Sequence, residues 1–208
     1  IDNQGKLLLY SDANIKAFST YITLARSGYL ETQRQIDAAF TQGKITFWIS
    51  GSWLLEKIKN NNPKLNYGVA LIPGVDSSKG ISFAGGEYLA INSKSKNQEL
   101  AKEFIKYITD GANSLTFCKS VAEAGFPADK NYYNDKYFQN QEYKKVFAEQ
   151  LLYSKMTPVH PKWLEMEAII ENALVEAIYG KKSAQMALYD ASRSINNLLY
   201  PRVAVKNK

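Results

Sequence analysis

The sequence predicts an α/β fold that is rich in helices and incomplete. Apolar residues recur at helical spacing along most of the 208 residues, whereas few short segments have the β-branched and aromatic composition of strands. A strand, a small-residue turn and a helix follow one another over 45–59, which is typical of α/β proteins. This spacing predicts roughly eight helices. So few strands cannot form a sheet large enough for that number of helices to cover. We therefore expect a processed product or a fragment that lacks its N-terminal partner segment.

Three helices are predicted before residue 60. The first covers 14–27, with Ser11 or Asp12 as a plausible N-cap and Gly28 in the position of a C-cap glycine. The second covers 32–41, and the third begins after a Ser-Gly-Ser turn and covers 53–59.

Three segments have strand character. Residues 45–49 are short, β-branched and aromatic, which predicts a buried strand with Trp48 in the core. A second strand is expected over 67–72. Residues 83–91 combine a glycine-rich bend with a strand, and the glycines would let a ligand or another backbone approach closely.

The second half of the chain is predicted to be helical. An amphipathic helix covers 97–109, with Leu100, Phe104 and Ile108 on its apolar face. Further helices are expected at 113–121, 142–153, 163–179 and 183–199.

Composition excludes several classes of function. The chain has 26 Lys+Arg and 20 Asp+Glu, but the lysines are scattered among polar residues, so we expect a solvated surface and no nucleic-acid partner. No apolar run approaches the roughly 18 residues of a membrane-spanning helix. A single cysteine, Cys118, and a single histidine, His160, exclude an internal disulfide, a Cys/His nucleophilic pair and most metal-ligand clusters. We expect no metal and no cofactor.

Two other motifs are better explained by a structural role than by a catalytic or phosphate-binding one. Residues 180–183 have the Gly-Lys-Lys-Ser end of a phosphate loop, but Val175 replaces its leading glycine, so a helix cap and the start of the next helix are expected. A glycosidase would need two carboxylates across a cleft. Glu87 is the one acidic residue at a plausible cleft position, which keeps a hydrolase as the weaker alternative.

Two tryptophans begin helices. Trp53 follows a Gly-Ser turn and Trp163 follows Pro-Lys. Residues at which a strand gives way to a helix line the ligand crevice of α/β sheets. An indole offers a flat apolar face with an N–H at its edge, which suits a sugar ring with C–H groups on one face and hydroxyls at its rim. Core packing remains the alternative for each tryptophan.

The chain resembles the extracellular solute-binding proteins of ABC importers for sugars, of the maltose-binding type. The segment 37–53 is similar to a family pattern that ends in Gly-x-Trp, and the resemblance continues in order and spacing through 66–74, 85–91, 96–104 and 180–183. It implies a periplasmic-binding-protein-like fold of two lobes that close on a ligand, of which this chain is the C-terminal half. On that pattern, 1–84 belongs to the C-terminal lobe, 85–128 crosses to the N-terminal lobe, and 129–208 returns as a helical segment.

The resemblance also implies the binding residues. Trp53 matches the tryptophan that stacks on sugar, and Trp163 lies near the aromatic residues that the family presents from its last long helices. The crossover segment that faces the cleft supplies Gly86, Glu87 and Tyr88. Where the maltose-binding pattern has another tryptophan, this chain has Glu167, so the identity of the sugar stays open.

The resemblance predicts binding and not catalysis. The expected partners are a carbohydrate ligand, ABC permease subunits in the membrane and the N-terminal half of the same protein. We expect an extracellular location, either lipid-anchored at the cell surface or periplasmic. A binding protein for a peptide or a polyamine remains the alternative within the same class.

Overall fold

The computed structural model describes residues 7–29, 33–74 and 78–201. Within these ranges there are nine α-helices and two short β-strands. The helices are α1 (Asp12–Arg26), α2 (Gln33–Thr41), α3 (Trp53–Asn61), α4 (Gln98–Thr109), α5 (Gly111–Ser120), α6 (Lys136–Gln139), α7 (Glu142–Leu151), α8 (Trp163–Ile178) and α9 (Ala184–Leu199). The strands are β1 (Ser82–Phe83) and β2 (Ser154–Lys155), and a 3-10 turn covers Lys130–Tyr132.

The chain forms two compact units. The described residues of Ile1–Thr32 and Pro158–Lys208, which include α1, α8 and α9, form what we call the helical unit. Those of Gln33–Thr157, which include α2 to α7 and both strands, form the mixed unit. No helix in the described ranges is both long and apolar enough to cross a bilayer.

Alanines form most of the buried core of the helical unit. Ala173 and Ala177 of α8 pack with Ala187 and Ala191 of α9, and Ile22 of α1 joins the cluster. Small side chains let helices approach closely while they exclude water, so burial here depends on fit more than on side-chain size.

The predicted caps of this unit are confirmed. The Ser11 hydroxyl accepts a hydrogen bond from the backbone N–H of Asn14 at 3.3 Å and so begins α1. Gly28 and Gly180 have φ values of 77° and 74°, the left-handed conformation that glycine adopts without strain after a helix. The guanidinium of Arg26 donates to the carbonyls of Ala177 and Ile178, at 2.6 and 3.1 Å, and thereby ties α1 to the end of α8.

A single glutamine side chain connects several parts of the mixed unit. The Gln150 amide oxygen accepts from the backbone N–H of Ile72 at 2.9 Å, and the amide nitrogen donates to the carbonyls of Gly80 and Tyr153. It therefore holds both ends of the turn that leads into β1 against α7. β1 pairs in parallel with β2, with Ser82 opposite Ser154.

The predicted strands at 45–49 and 67–72 are wrong for the described chain. Both segments lack a ladder partner among the described residues, and the pairing of β1 with β2 is the described sheet. Phe47 is 90% exposed and Ile49 is 70% exposed, so 45–49 is not buried. Composition predicts the extended backbone, but a strand also needs a neighbour that may lie far away in the sequence. Trp48, predicted to be in the core, is half-buried.

Helix α4 is confirmed, but its apolar face is uncovered. No residue of α4 is buried, and Leu100, Phe104 and Tyr107 are all exposed. The sequence pattern thus predicted the helix and its amphipathic character correctly, while the surface against which it would pack is absent from the described residues. The strand predicted within 83–91 is wrong beyond Phe83, because 85–91 is irregular and only Ile91 in it is partly covered.

We expect Ala177→Leu to destabilise the protein by about 1–3 kcal/mol, because Ala177 has no exposed surface and extra atoms there would overpack the contact between α8 and α9. Urea unfolding followed by circular dichroism measures the change. Ala168→Leu on the exposed side of the same helix is the control and should change stability by less than about 0.5 kcal/mol. Equal effects of the two variants would contradict the proposed packing.

Candidate functional site

Trp53 is the first residue of α3 and remains accessible. The residue is 39% exposed, although α3 buries Leu54 and Ile58 on its inner face. The helix begins with hydrogen bonds from the N–H groups of Leu54 and Leu55 to the carbonyls of Gly51 and Ser52. The indole is therefore presented from a helix start that is anchored by buried neighbours.

A buried carboxylate fixes the segment that precedes Trp53. The Asp37 side chain on α2 is 8% exposed. One oxygen accepts from the indole N–H of Trp48 at 2.8 Å, and the other accepts from the Lys57 ammonium on α3 at 2.9 Å. Asp37 thus connects α2, the irregular segment 44–52 and α3.

A second contact holds α2 and α3 together. The side-chain amide of Asn62 donates to the carbonyl of Thr41 at 3.0 Å, and the Thr41 hydroxyl donates to the carbonyl of Asp37 at 2.8 Å. A groove between the two helices is lined by Asp37, Lys57 and other polar residues. None of the residues predicted to bind ligand lines this groove. Its polar residues instead hold α2 against α3, the helix that begins with Trp53.

The residues predicted after the glycine bend are open to solvent. Gly86, Glu87 and Tyr88 are all exposed in an irregular segment that follows β1, and Tyr88 is 79% exposed. Within the described ranges Glu87 has neither a hydrogen bond nor an ion pair. Its carboxylate therefore keeps its full capacity to accept hydrogen bonds from a ligand. Trp53 and these three residues all belong to the mixed unit.

Trp163 begins α8 in the helical unit and is half-buried. Its backbone N–H donates to the carbonyl of His160 at 3.0 Å, and the His160 Nδ1 accepts from the N–H of Lys162 at 3.1 Å. The Lys162 ammonium donates to the carbonyl of Leu198 at 2.7 Å. The histidine thus organises the turn that begins the helix, as expected of a loop histidine held between two prolines.

The side chains that could have supported catalysis are buried, ion-paired or used to cap a helix. Cys118 is buried, and desolvation raises the pKa of its thiol, which disfavours the thiolate nucleophile. Lys182 lies between Asp190 and Glu176, and their hydrogen bonds raise the pKa of its ammonium. Ser183 accepts from the N–H of Met186, so 180–183 is a helix cap as predicted. No cluster of three or more metal-ligating side chains occurs in the ranges that the structure describes.

Residues 3–146 match the family described as bacterial extracellular solute-binding proteins. The chain belongs to this family. The matched range covers more than half of the sequence and includes both the segment that leads to Trp53 and the glycine bend. The resemblance read from the sequence is therefore confirmed, and membership agrees with binding as opposed to catalysis.

Relatives and a solved structure agree with the assignment. A galactooligosaccharide-binding protein of Bacillus subtilis is 31% identical over 76% of this chain and 37% of its own length. A maltodextrin-binding protein of the same organism is 29% identical over 92% of this chain and 45% of its own length. An ABC transporter solute-binding protein from Thermotoga lettingae, crystallised with α-D-tagatose, aligns with a TM-score of 0.80 and 21% identity over 95% of this chain and 52% of that one.

The chain spans only about half the length of these relatives or less. The structural likeness shows that it has part of the periplasmic-binding-protein-like two-lobed fold, which confirms the predicted fold class. The uncovered face of α4 and the unpaired segment 45–49 agree with a fold of which part is absent.

We expect Asp37→Ala to lower the free energy of unfolding by about 1–3 kcal/mol, since the half-buried N–H of Trp48 loses its acceptor. Lys57 contributes less, because its ammonium stays partly in water. Urea denaturation measures both this variant and Asp37→Asn, which keeps an acceptor and should lose less stability. If the two variants lose the same amount, the hydrogen bond to Trp48 does not account for the effect.

Proposed function

We propose that the protein is the substrate-binding component of an ABC importer that captures a sugar or an oligosaccharide. The observation that carries this proposal is the accessible Trp53 at the anchored start of α3, in a chain of the solute-binding family. The names of the relatives point to galactooligosaccharides and maltodextrins as the first ligands to test.

Stacking on Trp53 supplies the apolar part of recognition. The face of a pyranose that carries C–H groups packs on the indole and removes apolar surface from water. Stacking requires a face that is free of axial hydroxyls, but it does not distinguish the equatorial hydroxyls at the rim. Trp53 therefore contributes affinity, and discrimination between sugars needs polar groups at the rim of the ring.

Glu87 supplies the polar part. Its exposed carboxylate accepts hydrogen bonds from sugar hydroxyls, while Gly86 beside it adds no side chain that would obstruct the ligand, and the Tyr88 ring adds a second aromatic surface. A ligand epimer that leaves a buried polar group unpaired loses about 1–3 kcal/mol, which is sufficient for selection. Trp163 is proposed as a further aromatic contact in the complete protein.

Capture proceeds by closure of the complete two-lobed fold. A ligand that contacts both lobes stabilises the closed state and shifts the population toward it. The closed protein then docks on permease subunits in the membrane. This role places the protein outside the cytoplasmic membrane, either lipid-anchored at the cell surface or periplasmic.

The remainder of the fold covers the apolar face of α4. With boundaries at 84 and 128, α4 lies in the segment that crosses to the N-terminal lobe. Leu100, Phe104 and Tyr107 then pack against residues of the relatives' fold that this chain does not span. Since exposed apolar patches mark interaction surfaces, this face is the contact between the two halves of the protein.

We expect Trp53→Ala to weaken binding of the recognised sugar at least about tenfold, which corresponds to about 1.4 kcal/mol. Titration calorimetry on the whole protein, with maltotriose and a galactotriose as probes, measures the affinity. Tyr179→Ala removes an aromatic that is more exposed than Trp53 and lies outside the predicted site, and it should leave affinity unchanged. Unchanged affinity in Trp53→Ala would remove Trp53 from the site, and binding of putrescine or a peptide in place of either sugar would overturn the sugar assignment.

Phe104→Ser should destabilise the whole protein by about 3 kcal/mol, because a phenyl ring buried between the halves is lost. Lys106→Ser on the same helix places the same residue at an exposed position and should cost less than about 1 kcal/mol. Thermal unfolding of both variants provides the comparison. Equal stability of the two would show that the face of α4 stays uncovered in the whole protein.

A further inference from the structure

We propose that Gly51 is a positioning residue for ligand binding, because its missing side chain leaves the space in which the Trp53 indole lies. The inference rests on the proposed function for its effect on affinity. Its structural part, the orientation of the indole, stands on the described geometry alone.

The indole lies directly against the backbone of Gly51. A Cβ atom built at Gly51 would overlap the Cε3, Cζ3 and Cη2 atoms of Trp53, at separations that real Cβ atoms do not reach. Its distances to these three successive ring carbons are nearly equal, which places it over the face of the six-membered ring and not at its rim. One face of the indole therefore rests on the peptide at Gly51.

Backbone conformation does not explain the glycine. Gly28, Gly43 and Gly180 have positive φ values, but Gly51 does not, so other residues could adopt its backbone angles. The requirement for glycine comes from the ring that covers it. At Gly68, in the same unit, a Cβ would meet nothing within 4 Å, so alanine would be tolerated there.

The position of Gly51 is itself fixed. Its carbonyl accepts from the N–H of Leu54 at 3.1 Å, and Leu54 is buried. Upstream, Trp48 is held by the carboxylate of Asp37. The indole thus rests on a peptide that is anchored on both sides, which restricts the rotation of the Trp53 side chain before any ligand arrives.

A ring with one face covered offers its other face to the ligand. This arrangement suits a ligand that presents a single apolar face, such as one pyranose ring, and it lowers the entropy lost when the ligand orders the side chain. A side chain at position 51 displaces the ring and removes the preformed surface while Trp53 itself remains present.

The first experiment measures the indole without a ligand. In the whole protein we compare acrylamide quenching of tryptophan fluorescence in wild type, Gly51→Ala and the control Gly68→Ala. Each of the three is also made with Trp53→Phe. The difference between the two forms gives the contribution of Trp53. We expect greater quenching of Trp53 in Gly51→Ala only. Quenching equal to that of the wild type would overturn the proposal.

The second experiment is a double-mutant cycle on affinity for maltotriose and a galactotriose. Gly51→Ala should weaken binding about tenfold in the presence of Trp53 and should have no further effect in Trp53→Ala, because the displaced ring is then absent. An equal loss in both backgrounds would show that Gly51 acts through another group and would overturn the proposal.

Folding provides a further readout. If Gly51→Ala alone does not fold, the double variant with Trp53→Ala should regain the wild-type circular dichroism, and failure of both to fold would contradict the contact with the ring. Should neither sugar bind to wild type, the proposed function fails for these sugars. The quenching comparison then still decides whether Gly51 positions the indole.

Discussion

One buried carboxylate organises the part of the mixed unit that carries Trp53. Asp37 accepts hydrogen bonds from an indole and an ammonium that belong to different elements, and it lies almost entirely out of water. A carboxylate in that environment is stable only while its donors remain in place. The relative placement of α2, the irregular segment 44–52 and α3 is therefore coupled, and the orientation of Trp53 follows from that coupling.

The helices could be predicted from the sequence because their signals are local. The spacing of apolar residues, the N-cap at Ser11 and the glycines at 28 and 180 all act within a few residues of the helix they define. The strands could not be predicted in the same way. Phe47 and Ile49 have strand composition, yet strand pairing requires a second segment, and the described chain does not supply one beside them.

The residues of the candidate site differ in the same way: some have signals in the sequence, and others have roles that depend on the tertiary fold. Trp53, Glu87 and Trp163 are predicted as ligand-binding residues from residue type, position in the chain and family resemblance, and these features are visible in the sequence. Asp37 was missed because its partners lie 11 and 20 residues away, at separations set by the tertiary fold. Gly51 was recognised only as part of a turn. Its role depends on where the indole lies, which no pattern in the sequence reveals.

The hydrogen bond to the Leu198 carbonyl connects the end of α9 with the start of α8 in the helical unit. The terminal turns of helices fray, and the last carbonyls of α9 lack partners within the helix. Here one of them is bound by Lys162, directly before Trp163. This hydrogen bond thus couples order at the carboxyl end of α9 to order at the start of α8. A fusion partner attached too close to residue 199 would loosen an aromatic side chain many residues earlier in the sequence.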